Sequence, residues 1–304
     1  MGERLAETAA KGGGLAAERT LVVAGASGYL GRHVVQAASA QGWHVKALVR
    51  RAGAAEPAKG VEEVIATVTD PATLQGVCDG ADAVISCLGI TRQTDKVTYA
   101  DIDYQANANV LREAERAGCR RFAYVSVFGA QAAIHTDMVA AKERFVSELM
   151  ASTKLEWVII RPTGFFSDMR EFLDMAMSGR CYVLGDGTSR MNPIHGEDLA
   201  NVCVDALSGE PNRQVPVGGP ETFTWNEVCS LAFQAAGKPR RVTYLPMCLV
   251  KFVVAIIKPF SRRTWNIAAF MSSSGSHDFV APAHGQLKLA DFYREEATKL
   301  KEAS

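Results

Sequence analysis

The stretch that decides the fold is residues 20–35, with the sequence TLVVAGASGYLGRHVV. Its apolar run LVVA is typical of a buried strand. Gly25, Gly28 and Gly31 follow at G-x-x-G-x-x-G spacing, and an apolar helical stripe comes after them. A glycine turn between a strand and a helix suits a dinucleotide, because the free N–H groups at a helix N-terminus bind phosphate.

Each glycine has a separate role in that interpretation. Gly25 makes the tight turn, Gly28 lets the backbone approach a pyrophosphate, and Gly31 lets the helix pack on the strand. An ordinary strand-to-helix turn is the alternative interpretation. We therefore predict a phosphate-binding turn that comprises six residues: Gly25, Ser27, Gly28, Tyr29, Leu30 and Gly31.

The composition limits the class of protein. The chain has 304 residues, of which 48% are hydrophobic, and this is enough for a sizeable core. Lys+Arg and Asp+Glu both number 33, so the net charge is +0, which argues against a general nucleic-acid binder. The seven cysteines form no C-x-x-C pair and the six histidines show no metal-ligand spacing. We therefore expect reduced core cysteines and no metal site.

The N-terminal residues 1–19 are rich in alanine, glycine and charged residues, without the apolar run of a secretory signal. We predict that they form a mobile tail. The expected location is the cytoplasm, or the plastid stroma if a transit peptide has been removed.

The end of the second predicted strand, residues 44–50, bears on the cofactor. A carboxylate about 20 residues after the glycines would hold the ribose 2′-hydroxyl of NAD. This chain has Arg50 and Arg51 instead, and no acidic residue until Glu56. Because arginine pairs well with a 2′-phosphate, the pattern predicts NADP(H) rather than NAD(H), with Arg32 as an added positive charge. Two solvated basic residues at a strand end are the alternative.

Two further strands are predicted to bring ligand-binding groups to one edge of the sheet. Residues 61–69 form the third strand, and Asp70 follows either as the N-cap of a helix or as an acceptor for the adenine amino group. Residues 81–88 form the fourth strand. Leu88 and Gly89 then lie at the carboxyl edge of a parallel sheet, where ligands bind.

Helices and strands continue to alternate along the chain. A long amphipathic helix is predicted over residues 99–117, a fifth strand over 121–127 with Ser126 near its end, and a sixth strand over 158–161. Six strands that alternate with helices predict an α/β fold with one doubly wound parallel sheet.

Beyond residue 164 the alternation weakens. We predict a dinucleotide-binding domain over residues 20–164 and a smaller, mostly helical C-terminal substrate lobe over 165–304, with residues near 192–207 packing back on the first domain. Residues 245–260 are strongly apolar but shorter than the ~20 residues that cross a bilayer. We interpret them as a core helix of the lobe. An exposed apolar flap, which touches a membrane face through residues 245–263, is the alternative.

Several motifs, in this order, resemble one known group of enzymes. GASGYLG after a strand, YVSVFG, AKERFVSEL, VIIRPTGFF and NPIHGEDLA are similar to motifs of the atypical short-chain dehydrogenase/reductases. The branch that they resemble holds NmrA-like proteins, isoflavone-reductase-like enzymes and divinyl chlorophyllide 8-vinyl reductases. This resemblance implies a Rossmann-type NAD(P)-binding sheet.

The resemblance also implies roles for individual residues. Ser126 would polarise a substrate oxygen, with satisfaction of the backbone as the alternative. His195 would line the substrate cavity as a catalytic acid, with a buried histidine bonded to the backbone as the alternative. Four consecutive residues would run alongside the nicotinamide, and their backbone groups would bind its carboxamide: Pro162, Thr163, Gly164 and Phe165.

The catalytic pair of this superfamily is only half present. Ordinary members use Tyr-x-x-x-Lys, in which the lysine holds the nicotinamide ribose and lowers the pKa of the tyrosine. The lysine position matches Lys142, but the tyrosine position holds Met138, which has no proton to give. The resemblance implies ribose binding by Lys142, and a proton role if burial lowers its pKa. A surface lysine beside Glu143 and Arg144 is the alternative.

Three functions agree with these features. The first is an NADPH-dependent reductase of a hydrophobic small molecule, such as the activated C=C bond of divinyl chlorophyllide, with an apolar pocket walled by residues 165–177 and 245–260. The second is a non-catalytic NAD(P)-binding regulator or complex-assembly factor of the NmrA-like type, which Met138 favours. An isomerase or epimerase is the third. We predict a small-molecule partner, no nucleic acid and no transmembrane span, and we leave the oligomeric state open.

Overall fold

The structure is a computed structural model that describes residues 19–90, 94 and 97–302. The predicted mobile tail, residues 1–19, lies outside the described residues except for Arg19. The strands are β1 (Thr20–Ala24), β2 (His44–Val49), β3 (Val61–Ile65), β4 (Ala83–Ser86), β5 (Arg121–Val125), β6 (Glu156–Pro162), β7 (Cys181–Leu184), β8 (Arg190–Met191), β9 (Arg213–Val217), β10 (Phe223–Thr224) and β11 (Val242–Leu245). The α-helices are α1 (Tyr29–Ala40), α2 (Asn107–Ala117), α3 (Asp137–Met150), α4 (Phe166–Met177), α5 (Gly196–Asp205), α6 (Trp225–Ala236), α7 (Met247–Ile257), α8 (Arg262–Ser274) and α9 (Leu289–Glu302).

Seven strands form one parallel sheet in the order β3-β2-β1-β4-β5-β6-β9. Helices α1 and α5 pack on one face, and α2 and α3 pack on the other. The prediction of an α/β fold with a doubly wound parallel sheet is confirmed. Because the winding reverses at β1, the loops after β1 and β4 leave the sheet side by side at its carboxyl edge, where such folds bind ligands.

The packing crosses the predicted boundary at residue 164. Strand β9 pairs with β6 and extends the main sheet. Helix α5 packs on α1, so that Leu199 and Cys203 share a core cluster with the first strands. The residues after 164 therefore supply a strand and a helix to the dinucleotide-binding part of the fold, and the sequence pattern had indicated only the helix.

The other C-terminal residues form a smaller, mostly helical layer. Helices α4, α6 and α9 pack together around the buried Phe166, Leu173, Phe233 and Tyr293. Two short sheets complete this layer, a parallel pair of β7 and β11 and an antiparallel pair of β8 and β10.

The apolar segment 245–260 is not a core element. No residue of α7 is buried, and Phe252 leaves 64% of its surface exposed. Our interpretation of a core helix is therefore wrong. The core of the C-terminal layer is already filled by α4, α6 and α9, so α7 lies at the edge and packs on α8.

Two predicted elements have different local geometry. Strand β3 ends at Ile65 rather than at residue 69. The Thr73 hydroxyl accepts a hydrogen bond from the Thr67 N–H and donates one to the Thr67 carbonyl, and the chain forms a single 3₁₀ turn, Pro71–Leu74. The predicted helix over residues 99–117 begins as a π-helical segment, Ala100–Ala106, before α2 starts.

Candidate functional site

The glycine turn connects β1 to α1. Gly25 has a φ of +83°, a left-handed conformation that favours glycine. A Cβ atom on Gly31 would lie 2.0 Å from the carbonyl oxygen of Gly25, so only glycine lets α1 approach β1 this closely. Gly28 is the N-cap of α1 and donates its N–H to the Gly25 carbonyl at 2.9 Å. The turn has the shape of a phosphate cradle at a helix N-terminus.

The other residues of the predicted turn hold it in place. Leu30 is buried in the core under α1. The Ser27 carbonyl accepts from Arg32 Nε at 3.1 Å, and the Arg32 guanidinium lies 3.8 Å from the Glu56 carboxylate. The Tyr29 hydroxyl accepts from the backbone N–H of Gly196 at 3.1 Å. The Arg32 guanidinium therefore lies beside the glycine turn, next to Glu56.

The two arginines after β2 are exposed at the sheet edge. Within the described residues, the side chains of Arg50 and Arg51 form no hydrogen bond and no ion pair. The loop that follows is anchored by Glu63 of β3, whose carboxylate accepts the N–H groups of Gly53 at 2.7 Å and Ala55 at 2.6 Å. These two bonds lower the pKa of Glu63. Glu63 therefore fixes the loop, and the guanidinium groups of Arg50 and Arg51 remain available to bind an anion.

Asp70 acts as a cap. Its Oδ1 accepts from the Ala72 N–H at 3.1 Å, and the residue is exposed after β3. The structure therefore supports the capping alternative for Asp70, and its second carboxylate oxygen stays open to solvent.

The loop after β4 connects the glycine turn to Lys142. A Cβ atom on Gly25 would lie 3.2 Å from the backbone of Cys87. A Cβ atom on Gly89, two residues on, would lie 2.7 Å from Lys142 Nζ. Between them Leu88 is half-buried and bonds the Ser86 hydroxyl through its N–H. Lys142 thus reaches from α3 to the loop that borders the phosphate cradle.

Lys142 is a buried cation with a buried partner. Its Nζ lies 2.8 Å from Asp103 Oδ1, and the side chains are 13% and 0% exposed. Burial lowers the pKa of Lys142, but Asp103 and then Tyr124 raise it by more, so the net shift is upward. The condition for a proton role, a lowered pKa, is therefore not met, because Asp103, which the sequence did not reveal, outweighs burial. The surface-lysine alternative is also wrong.

Asp103 is placed by the π-helical segment. The Asn107 amide donates to the carbonyls of Ile102 at 3.0 Å and Asp103 at 3.1 Å, and its oxygen accepts from the Ser86 hydroxyl at 2.5 Å. These bonds satisfy backbone groups that a change of helical pitch would leave unpaired. Asp103 and Asn107 are four residues apart, so they share the buried side of the helix. Two polar residues within an otherwise apolar stripe are the sequence signal that could have identified them.

Ser126 lies just after β5 and is buried, as expected for its position. Its hydroxyl donates to Glu143 Oε1 at 3.0 Å. Arg161 of β6 holds the same carboxylate through two bonds of 2.7 and 2.8 Å. The Ser126 hydroxyl therefore donates to an ion pair that the sequence did not reveal, and its partners are side chains rather than the backbone groups of the alternative interpretation.

His195 is the N-cap of α5. Its Nδ1 accepts from the Glu197 N–H at 3.2 Å, and burial lowers the pKa of the imidazole. The ring lies 5.3 Å from the ring of His33 on α1 and 5.7 Å from that of Phe166. The structure places His195 in an aromatic cluster beside α1, with a structural bond on one nitrogen.

The segment expected to pass the nicotinamide is extensively bonded within the chain. The Pro162 carbonyl accepts from Phe128, the Thr163 N–H donates to Val217 O, and the Gly164 carbonyl accepts from Ile194. The Phe165 ring lies 6.0 Å from that of Tyr29. The side chain of Phe165 thus borders the cradle, while most of the backbone groups expected for the carboxamide are engaged elsewhere.

Met138 stands where the catalytic tyrosine would be. It is half-buried in a small apolar cluster with Val127 and Phe270, around Ala130 and Ala133. Phe270 comes from α8, so the C-terminal layer covers this position.

Two cavities lie around α7. One of about 690 Å³ is lined by Asp186, Tyr244 and Met247, and one of about 450 Å³ is lined by His135, Lys251 and Trp265, among others. Neither of these two cavities is lined by residues 165–177, so the pocket between that segment and residues 245–260 stays a prediction.

Neither a metal site nor a membrane-spanning helix is found in the described ranges. There, no group of three or more His, Cys, Asp or Glu side chains could hold a metal ion. The helices of the same ranges are all too short or too polar to cross a bilayer.

Known proteins are similar to this chain in sequence and in fold. The family model described as NAD(P)H-binding matches residues 25–210. Divinyl chlorophyllide a 8-vinyl-reductase of Arabidopsis thaliana is 27% identical over 266 residues, which cover 80% of this chain and 63% of that protein. Photosystem II assembly factor Ycf39 of Guillardia theta is 28% identical over 239 residues, which cover 77% and 75%. These matches confirm the predicted resemblance.

The similarities to sequences and to solved structures support different conclusions. The chain spans 63% of the length of the Arabidopsis reductase and 65% of that of the Zea mays reductase. The NADPH-dependent quinone oxidoreductase of Escherichia coli, solved with NADPH, superposes with a TM-score of 0.69 at 17% identity, over 92% of this chain and 99% of that one. At that identity the superposition establishes the fold alone.

Proposed function

We propose that this chain, which belongs to the NAD(P)H-binding family, is an NADPH-dependent reductase of a hydrophobic small molecule. One observation carries the proposal: the Lys142 ammonium lies against Gly89, on the loop that borders the glycine turn. The turn has the backbone shape of a pyrophosphate cradle, and glycine at position 31 lets the N-terminus of α1 approach the Gly25 carbonyl. The lysine then lies where a nicotinamide ribose would follow.

The residues divide the work of binding. The N–H groups at Tyr29 and Leu30, the first residues of α1, would hold the pyrophosphate, and Arg50 with Arg51 would bind a 2′-phosphate through charge-assisted bonds. Lys142 would bind the nicotinamide ribose. NADPH, when bound, supplies the hydride.

The residues also suit reduction of an activated C=C bond. Lys142, kept charged by Asp103, would stabilise negative charge that develops on the substrate. Its raised pKa makes it a weak proton donor, and Met138 has no proton, so water would supply the proton. A divinyl chlorophyllide-like tetrapyrrole is the most concrete substrate, by analogy with the plant relatives, and a cytoplasmic or plastid-stroma location stays a prediction.

Calorimetry with NADPH and NADH tests this function. We expect tighter binding of NADPH, a loss of about tenfold in NADPH affinity for Arg50→Ala with little change for NADH, and weaker binding of both for Lys142→Ala. Arg294→Ala and Lys154→Ala, at 71% and 67% exposed positions, are the matched controls. NADPH oxidation in the presence of divinyl chlorophyllide or simple enones then tests turnover. Failure to bind either nucleotide overturns the proposal.

A non-catalytic NAD(P)-binding assembly factor or regulator is the second candidate, and the packing of Met138 and Phe270 on one small apolar cluster favours it. The similarity to Ycf39 agrees with this candidate. It predicts tight NADPH binding without oxidation by any substrate, and no gain of turnover when Phe270→Ala opens the covered position. Turnover in the unmodified chain would exclude it. An isomerase or epimerase is disfavoured, because Met138 cannot move a proton.

A further inference from the structure

Helix α7 presents an apolar face to solvent. Its exposed apolar residues recur every three or four positions, so they share one side of the helix. Between 44% and 64% of the surface of each is exposed, in Leu249, Phe252, Val253 and Ile256. Phe260, in the turn that follows, is 84% exposed. Monomeric proteins rarely leave such a contiguous face uncovered.

The opposite side of α7 is loosely supported. Lys251, Val254 and Lys258 line the cavity of about 450 Å³ toward α8, and Met247 lines the cavity of about 690 Å³ beside the β7–β8 turn. Lys258 lies over the Trp265 ring, 4.8 Å from its centroid. The cationic side of the helix thus points to the protein and the apolar side points away, which is the arrangement of an interfacial helix.

The charge around α7 is of one sign. From residue 228 to residue 277 the chain has no Asp or Glu, although the whole chain has a net charge of +0. Seven basic residues lie in that segment: Lys238, Arg240, Arg241, Lys251, Lys258, Arg262 and Arg263. Two carboxylates approach from other elements: Asp137 neutralises Arg262 at 2.6 Å, and Asp186 lies in the cavity beside Met247 and bonds Thr188 at 2.7 Å. The basic residues outnumber these two carboxylates, so the surface attracts anions.

We propose that the exposed face of α7, with Phe260, docks on an anionic lipid surface. Apolar insertion and the surrounding basic residues both favour this occupant. A second copy of the chain would bring the same seven basic residues against each other, and like charges repel across a symmetric interface. The proposal is independent of the reductase proposal, because it uses none of the residues of the nucleotide site.

Vesicle flotation of the full chain tests the proposal. The vesicles are phosphatidylcholine alone and phosphatidylcholine with about one third phosphatidylglycerol. We expect binding to the anionic vesicles that falls with added salt, and a loss of about tenfold or more for the double variant Phe252→Ser/Phe260→Ser. Lys251→Glu should lose about fivefold. Ile65→Ser is the matched control, because Ile65 is 62% exposed on β3, away from α7.

Each other result overturns the proposal. Absence of binding to either vesicle does so, and so does equal binding of the double variant. Sedimentation of the free chain is measured in parallel: a concentration-dependent dimer that Phe252→Ser/Phe260→Ser dissociates, without vesicle binding, assigns the face to a second copy. NADPH affinity and thermal melting of each variant confirm that the fold is intact.

Discussion

Asp103 and Lys142 form a buried ion pair at the carboxyl edge of the sheet, with 2.8 Å between Oδ1 and Nζ. The pair holds the lysine against Gly89 and keeps it protonated, although burial by itself lowers its pKa. Because the tyrosine of the usual pair is replaced by Met138, this carboxylate is the main electrostatic partner of the lysine.

Replacement of Asp103 should lower the pKa of Lys142. The contribution of Lys142 to stability is present below its ordinary pKa of 10.5 and is lost only as pH rises through the higher folded value. In Asp103→Asn only Tyr124 still opposes the effect of burial, so the lysine pKa should fall and NADPH affinity should decrease as pH rises from about 6 to about 10. A loss of about 3 kcal/mol in stability is expected as well.

Calorimetry at several pH values, with thermal melts, measures both effects. Asp101→Asn is the control, because Asp101 is exposed and bonds only Thr98. A pH-independent affinity in Asp103→Asn would contradict the proposed electrostatic role.

Gly31→Ala should distort the phosphate cradle. The new Cβ atom would lie 2.0 Å from the Gly25 carbonyl oxygen, so α1 must move away from β1. We expect a loss of about 1–3 kcal/mol in stability and more than tenfold in NADPH affinity. Gly42→Ala is the control, since Gly42 has a φ of +79° and open space around it. It should lose about 1–2 kcal/mol through backbone strain alone and bind NADPH normally. Calorimetry and chemical denaturation separate the two outcomes.

Glu63→Gln should loosen the loop that follows Arg50 and Arg51. The carboxylate accepts two backbone N–H groups, and a neutral amide binds them less strongly. NADPH affinity should fall severalfold while NADH affinity changes little, because only the 2′-phosphate contacts depend on the loop. Glu62→Gln, one residue earlier and outside this loop, is the control. Equal effects of the two variants on NADPH binding would exclude the anchoring role.

The histidine cluster beside α1 should make stability depend on acid. Burial lowers the pKa of both His33 and His195 below the ordinary 6.5. A depressed histidine pKa contributes stability above about pH 6.5 that is lost as pH falls through the folded value. The melting temperature should therefore drop between about pH 7 and about pH 5.

The double variant His33→Phe/His195→Asn should lose less on acidification, because its cluster cannot be charged and the asparagine keeps the cap of α5. His284→Asn, at a half-buried histidine outside this cluster, should behave like the unmodified chain. An identical acid dependence in the double variant would assign the effect to other groups.

The sequence by itself determined the features that depend on neighbours along the chain. The apolar run, the glycine spacing and the helix stripe of residues 20–35 fix a strand, a turn and a helix, and their repetition fixes the parallel sheet. Arg50 and Arg51 follow from the same local pattern, since a residue just after a parallel strand must lie at the carboxyl edge.

The tertiary structure alone decided which distant residues meet. Asp103 and Lys142 are 39 positions apart, and Ser126 finds Glu143 and Arg161 only because β5, α3 and β6 are adjacent. Helix α7 is as apolar as a core helix, yet it is exposed because α4, α6 and α9 already fill the space. Apolar periodicity records that a face can be buried, whereas the partner that buries it depends on the packing of the whole chain.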